Sequence, residues 1–212
     1  MSQPDSYAIE VPLRAHRLLS DLWKCVDGKP YKEFGGPLGT TFVIAMAGPM
    51  INFPFERLER DDPAKSERHL HGKSMQTFHA MIDDTKLGET PFFGAGAWRY
   101  TYVKAARPSL VSVEPEILDA LAEDGATKAA ETISTKVWFA AMRNALAHSA
   151  VVYLDTDGRQ AAGAPTEAIA FVSDDRGWMG RKSVLLGSHI FRIEQAAFRE
   201  FLDQWARWLE RE

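Results

Sequence analysis

Cysteine is almost absent from this sequence, since Cys25 is the only one among 212 residues. A single cysteine excludes an intrachain disulfide and a zinc site built from several thiolates. This usage is typical of a reducing compartment. The N-terminal segment MSQPDSYAIE also lacks the basic and apolar parts of a secretion signal. We therefore expect the protein to be cytoplasmic.

Long uninterrupted hydrophobic runs are also missing. Residues 35–55 carry no charge over 21 positions, about the length that crosses a bilayer. The segment nevertheless holds four glycines, three prolines and Asn52, and its continuously apolar part, residues 42–47, is too short to span. It is predicted to be a buried core helix bent by its prolines, and no membrane association is expected.

An excess of positive charge is the third absence, because the formal net charge is −4. Any surface that binds an anion or a nucleic acid must therefore be local. Hydrophobic residues make up 45% of the chain, enough for a sizeable core. We predict one domain over residues 1–212, in which residues 61–114 are an insertion or an irregular region.

The spacing of apolar residues predicts a mainly α fold with a small antiparallel hairpin or sheet near the C-terminus. Helices are expected from Pro12 to the Gly28–Pro30 turn, and over 40–60, 66–86, 116–123 (closed by Gly125), 128–150 and 194–211. Strands are expected at WRYTYV, AVVYLDTDGRQ, EAIAFVSD and KSVLLGSHIFRI.

The stretch AAMRNALAHSAVVYLD carries the strongest candidate for a functional site. On a helix, Asn144 and His148 lie four residues apart and share a face, whereas Arg143 lies about 140° around from His148. No acidic residue occurs from Thr132 to Leu154. In an acidic chain, this local positive charge favours an anion.

These residue types suit the cleavage of RNA without a metal. Histidine can take or give a proton near neutral pH, and arginine presents a planar fork to phosphate oxygens. Asn144 can orient the imidazole or the substrate. Because one His148 cannot easily perform both proton transfers, we expect a homodimer that brings two copies of the site together.

The segment MRNALAHSA resembles the signature of HEPN domains, in which an arginine is followed by four to six residues and then a histidine. Arg143, Asn144 and His148 match the signature, and AMAGPMINFPFERL resembles an early helix of the pEK499-type HEPN branch. The resemblance implies a HEPN-like helical bundle that dimerises at this motif. It also implies a metal-independent endoribonuclease of toxin–antitoxin, phage-defence or RNA-processing systems, with RNA as substrate and an antitoxin as partner protein. The expected products carry 2′,3′-cyclic phosphate and 5′-hydroxyl ends, and no cofactor or metal is expected.

Three other readings stay open. Asn144 and His148 can simply cap the C-terminal end of the helix, with Arg143 as an ordinary ion-pair partner. The same fold can serve as a non-catalytic module that binds a nucleotide or another protein. His69, His71 and His79, with Asp83 and Asp84 nearby, can alternatively form a metal site, although their spacing lacks a pair four residues apart on a helix. A solvated polar face is the favoured reading of these histidines.

Overall fold

The computed structural model describes residues 3–59, 72–160 and 162–211. Its helices are α1 (Glu10–Asp27), α2 (Gly39–Pro54), α3 (Gly72–Asp84), α4 (Pro115–Ala122), α5 (Asp124–Thr132), α6 (Thr135–Ala147) and α7 (Gln195–Arg211). Its strands are β1 (Trp98–Lys104), β2 (Val151–Leu154), β3 (Ala168–Met179) and β4 (Lys182–Glu194). The fold is thus mainly α with a small antiparallel sheet, and the predicted strands all form.

The sheet has the order β1–β4–β3–β2, and every neighbouring pair is antiparallel. The central hairpin runs from the pair Ala168 and Glu194 to the pair Met179 and Lys182. β1 comes from the region that the sequence left as irregular, and it becomes an edge strand beside β4. β1 pairs with residues about 90 positions later in the chain. A local sequence pattern can predict this strand but not its partner.

Alternation along the strands gives the sheet two buried faces. One face packs on the helices with Ile169, Phe171 and Phe191, within the larger of two hydrophobic clusters. The opposite face packs Ala170 and Val172 beneath α4, in the smaller cluster. The sheet is therefore a middle layer, and the larger helical layer lies on one side of it.

Aromatic rings fill the space between the sheet and the helices. The aromatic side chains that are less than 2% exposed are Trp98, Trp138, Trp205, Phe78, Phe92, Phe139, Phe171, Phe191 and Phe198. Trp98 from β1 meets Trp138 from α6 edge to face, with ring centroids 5.2 Å apart. Such contacts add about 0.5–1.5 kcal/mol to the burial of each ring pair. This packing joins α6 to the sheet.

Helix α2 carries two prolines, as predicted, and one of them explains a long-range contact. In a regular helix the carbonyl of Met50 would accept a hydrogen bond from the N–H of residue 54, but Pro54 has no N–H. The indole Nε1 of Trp205 on α7 donates to this carbonyl instead, over 2.8 Å. Pro54 thus leaves the carbonyl of Met50 without a donor from the helix, and Trp205 on α7 supplies the donor instead.

The boundaries of the first three helices differ from prediction in detail. α1 begins at Glu10, since the carbonyl of Ser6 accepts the N–H of Glu10, and Pro12 lies in its first turn. α2 gives way to a π-type turn at Phe55–Glu59. α3 forms within the predicted helix over 66–86, whose residues 66–71 lie outside the described residues.

The predicted helix over 128–150 is wrong as a single element, because Ile133 and Ser134 are extended and separate α5 from α6. Their backbone pairs with residues 85–87: Leu87 donates to the carbonyl of Ile133, and Thr135 donates to that of Thr85. These hydrogen bonds compensate for those lost from the helix.

The prediction that Gly125 closes the preceding helix is also wrong. α4 ends at Ala122, one residue before the predicted end, because the backbone of Glu123 is extended. Gly125 lies in the first turn of α5.

Among the described residues, no helix is long and apolar enough to cross a membrane. Most of the uncharged segment 35–55 forms α2. Its residues Val43, Ala47, Met50 and Ile51 are completely buried in the protein core.

Candidate functional site

The C-terminal end of α6 places His148 in an exposed position. The backbone N–H of His148 bonds to the carbonyl of Asn144, and that of Ala150 bonds to the carbonyl of Ala145. Between them Ser149 adopts a left-handed conformation with φ of +55°. This is the Schellman ending of a helix, in which glycine is the usual left-handed residue. A serine there carries a local backbone cost next to the candidate catalytic residue.

Asn144 lies one turn before His148 and is partly buried. Its side-chain amide donates to Ser173 Oγ on β3, over 3.4 Å. Ser173 is itself only 4% exposed. The predicted alignment of Asn144 and His148 on one face is confirmed, and the side chain of Asn144 connects the end of α6 to the sheet through this contact.

Both residues line a cleft of about 680 Å³. The cleft lies between the end of α6, the part of β3 that extends beyond β2, and the loop that follows β1. Its lining residues are Arg107, Leu110, Asn144, His148, Ala150, Val172, Ser173, Asp174 and Arg176. This volume falls in the range of small-molecule sites, so the cleft can hold a nucleotide-sized group.

Charge in the cleft comes from two guanidinium groups and one carboxylate. Arg107 donates to both oxygens of Asp174, with a distance of 2.8 Å between Nε and Oδ1. Arg176 Nε lies 3.3 Å from Asp174 Oδ2. The hydrogen bonds from Arg107 hold the pKa of Asp174 below its usual range. With Asp174 ionised, the lining keeps one net positive charge before any contribution from His148, which favours an anionic ligand.

Arg143, the third residue of the motif, is turned toward the end of α2. Its Nε lies 3.3 Å from Glu56 Oε1, and both side chains are about 30% exposed. Its guanidinium also lies over the ring of Phe55, 5.6 Å from the centroid. Arg143 is not among the described residues that line the cleft. The structure thus brings Asn144 and His148 together and leaves Arg143 on another side of the helix.

Sequence reasoning missed Arg107 and Arg176. They lie about 70 positions apart, and only the register of β1, β4 and β3 brings them to one cleft. The run DDR at 174–176 is a weak signal, since alternation in a strand puts Asp174 and Arg176 on one face. No comparable signal marks Arg107.

A second polar cluster lies on the face of the sheet opposite Asp174. The hydroxyl of Tyr100 lies 2.9 Å from Nδ1 of His189, and the hydroxyl of Tyr102 donates to Asp175. Burial raises the pKa of Tyr100 to about 12 and lowers that of His189. His189 pairs with Ser173 across the strands, so this cluster adjoins the residue that holds Asn144.

The alternative metal site gains no support from the described part of the chain. No group of three or more His, Cys, Asp or Glu side chains is placed there to hold a metal ion. His79 lies on α3, where the nearby Asp83 forms an ion pair with Lys136 at 2.7 Å. His69 and His71 lie outside the described residues.

Comparisons of the chain with models of protein families, with curated proteins and with solved structures found no match.

Proposed function

We propose that this protein is a metal-independent endoribonuclease whose active site is the cleft at the end of α6. The observation that carries the proposal is the exposed His148 in a cleft that also presents Arg107 and Arg176. An imidazole, which can take or give a proton, and two cations are suited to phosphodiester cleavage. The resemblance of Arg143, Asn144 and His148 to the HEPN signature points to the same reaction.

In the proposed reaction, neutral His148 takes the proton of a ribose 2′-hydroxyl. The 2′-oxygen attacks phosphorus, and the bond between phosphorus and the 5′-oxygen breaks. A protonated imidazole gives its proton to the departing 5′-oxygen, so the products are a 2′,3′-cyclic phosphate and a 5′-hydroxyl. Arg107 and Arg176 stabilise the negative charge of the phosphate, and Asn144 positions the end of α6 through Ser173.

The second imidazole requires a second copy of the chain, since one histidine does not readily act as base and acid in one step. We therefore propose a homodimer in which the partner's His148 completes the site. Arg143 keeps its predicted role in phosphate binding only if its guanidinium exchanges Glu56 for the phosphate, and this requirement is testable.

RNA cleavage in excess EDTA tests the assignment. Wild type is expected to cleave, and His148→Ala to be slower by about 10²–10⁴-fold, the usual contribution of general acid–base catalysis. His79→Ala, which removes a histidine on α3, serves as the control and is expected to retain activity. Equal cleavage by wild type and His148→Ala would reject the proposal.

The two arginine positions separate the sources of phosphate binding. Arg107→Gln removes a cation from the cleft, and Arg143→Gln removes the cation that contacts Glu56. A larger loss of cleavage in Arg107→Gln assigns the phosphate contact to the cleft. A larger loss in Arg143→Gln shows that Arg143 leaves Glu56 during the reaction.

The non-catalytic alternative is favoured by one observation, the contact of Arg143 with Glu56 and Phe55 outside the cleft. In this alternative, the cleft binds a nucleotide or a partner protein without breaking a bond. It predicts saturable nucleotide binding to wild type, weakened by Arg107→Gln, and no cleavage of RNA under any condition.

A further inference from the structure

The central hairpin extends well beyond the strands that flank it. β2 pairs with β3 only as far as Phe171, and β1 pairs with β4 only as far as Gly187. Apart from the hydrogen bond that Ala105 N–H donates to the carbonyl of Leu186 at its base, the segment 176–186 forms a two-stranded projection, which we call the hairpin arm. Its turn is at Gly180, whose φ of +62° suits the short connection between Met179 and Lys182.

Large apolar side chains are exposed on the hairpin arm. Trp178 is 75% exposed, Met179 is 72% exposed and Leu186 is 46% exposed. Other tryptophans of this chain, Trp98, Trp138 and Trp205, are completely buried. A cluster of exposed apolar side chains on a projecting element indicates a surface that binds a partner.

The charge of the hairpin arm indicates the chemistry of this partner. No acidic residue occurs from Arg176 to Ile193, although the whole chain has a net charge of −4. Arg176, Arg181 and Lys182 are exposed on the arm. At its base the carboxylate of Asp174 is already bonded to Arg107. The arm therefore combines cations with an exposed indole ring, which complements the phosphates and flat bases of a nucleic acid.

The hairpin arm is continuous with the cleft. Arg176 lines the cleft, and Trp178 follows on the same face of β3 two residues further toward the tip. Two residues along a strand correspond to about 7 Å. A chain of nucleotides that leaves the cleft past Arg176 therefore meets the ring of Trp178 next.

We propose that the hairpin arm binds single-stranded RNA and leads it into the cleft at His148. This inference rests on the proposed function and names its substrate class. Trp178 stacks on an unpaired base, while Arg181 and Lys182 contact the flanking phosphates. A single strand is selected because the bases of a duplex are already stacked on one another and cannot cover the indole ring.

Binding is measured in the His148→Ala full-length chain, which keeps the RNA intact. The probes are a fluorescent single-stranded RNA of about 12 nucleotides and the same sequence as a duplex. Trp178→Ala is expected to weaken binding of the single strand roughly 5- to 100-fold, and Trp178→Phe to restore most of it. The double variant Arg181→Glu/Lys182→Glu is expected to weaken binding at least about tenfold and to reduce its salt dependence.

Two variants provide matched controls on exposed positions outside the arm. Phe34→Ala removes a ring that is 69% exposed, and Lys24→Glu/Lys32→Glu reverses two exposed charges. Both controls are expected to bind the single strand like the parent chain. Equal affinities for the arm variants and their controls would overturn the proposal, as would equal binding of duplex and single strand.

Other occupants of the arm give distinct results. Light scattering that shows loss of a dimer in Trp178→Ala, with unchanged RNA affinity, would make the arm a contact between copies and overturn the proposal. Loss of binding to phosphatidylserine vesicles with unchanged RNA affinity would assign the arm to a lipid surface and also overturn it.

The experiment also separates this inference from the proposed reaction. Arm-dependent binding of single-stranded RNA without cleavage by wild type supports the arm and rejects the endoribonuclease. Cleavage that depends on His148 but not on Trp178 or Arg181 supports the endoribonuclease and rejects the role of the arm in RNA binding.

Discussion

The aromatic core and the region formed by the cleft and the hairpin arm differ in how their side chains are used. In the core, Trp98 and Trp138 pack edge to face and are completely buried. In the second region, His148 and Trp178 are exposed, and charged groups bond mainly to one another. Helix α6 belongs to both, with its aromatic residues in the core and its last turn at the cleft. The buried part of this helix contributes to stability, and the proposed function depends on its last turn, so we expect substitutions to separate the two.

The largest expected contrast in stability is between two tryptophans. Trp138→Ala removes a ring that is 0% exposed, and we expect it to lower the free energy of unfolding by about 3–5 kcal/mol. Trp178→Ala removes a ring that is 75% exposed and should change it by less than about 0.5 kcal/mol. Urea denaturation of both variants measures the contrast. Similar losses in both would show that the hairpin arm is part of the core.

A smaller effect tests how the core compensates for Pro54. Trp205→Phe keeps most of the ring but leaves the carbonyl of Met50 without its donor, which should cost about 1–3 kcal/mol. In a Pro54→Ala background, the N–H of residue 54 can bond to this carbonyl, so the same substitution should cost less. A double-mutant cycle by urea denaturation measures the difference. Equal costs in the two backgrounds would contradict the explanation given for the Trp205 contact.

The smallest effect concerns the partly buried His189 beside the cleft. Because burial lowers its pKa in the folded state, the unfolded state binds more protons below its usual pKa of about 6.5. The contribution of His189 to stability is therefore complete above pH 6.5 and declines as the pH falls toward the lowered pKa. His189→Gln should flatten the pH dependence of the unfolding free energy in this window.

Tyr100→Phe is the control that tests whether burial of His189 causes this pH dependence. It removes the hydroxyl that contacts His189 but leaves the ring and the burial in place. The pH dependence should then remain close to that of wild type. A profile as flat as that of His189→Gln would assign the effect to the hydroxyl instead of burial.

Much of the secondary structure could be predicted from sequence, because amphipathic helices and alternating strands leave local patterns. The apolar stripe of α7 and the apolar stretches of β3 and β4 are examples. The division between α5 and α6 could not be predicted, since it depends on backbone hydrogen bonds from residues 85–87. The placement of β1 beside β4 likewise depends on distant pairing.

The candidate site, like the secondary structure, could be predicted only where a local pattern determines it. The shared face of Asn144 and His148 follows from helix geometry and is confirmed, and both residues line the cleft. The partners of Arg143 and the presence of Arg107 could not be predicted, because they are set by the packing of α2 and of the loop after β1 against α6 and the sheet. Catalysis by Arg143, Asn144 and His148, the homodimer and the RNA substrate stay predictions.

The chemical ends of the RNA products test the central claim most directly. Full-length wild type is incubated with single-stranded RNA in excess EDTA, and His148→Ala is treated in parallel. We predict 2′,3′-cyclic phosphate and 5′-hydroxyl ends from wild type, and few or none from the variant. Products with 3′-hydroxyl and 5′-phosphate ends, or equal cleavage by the variant, would contradict a metal-independent active site at His148.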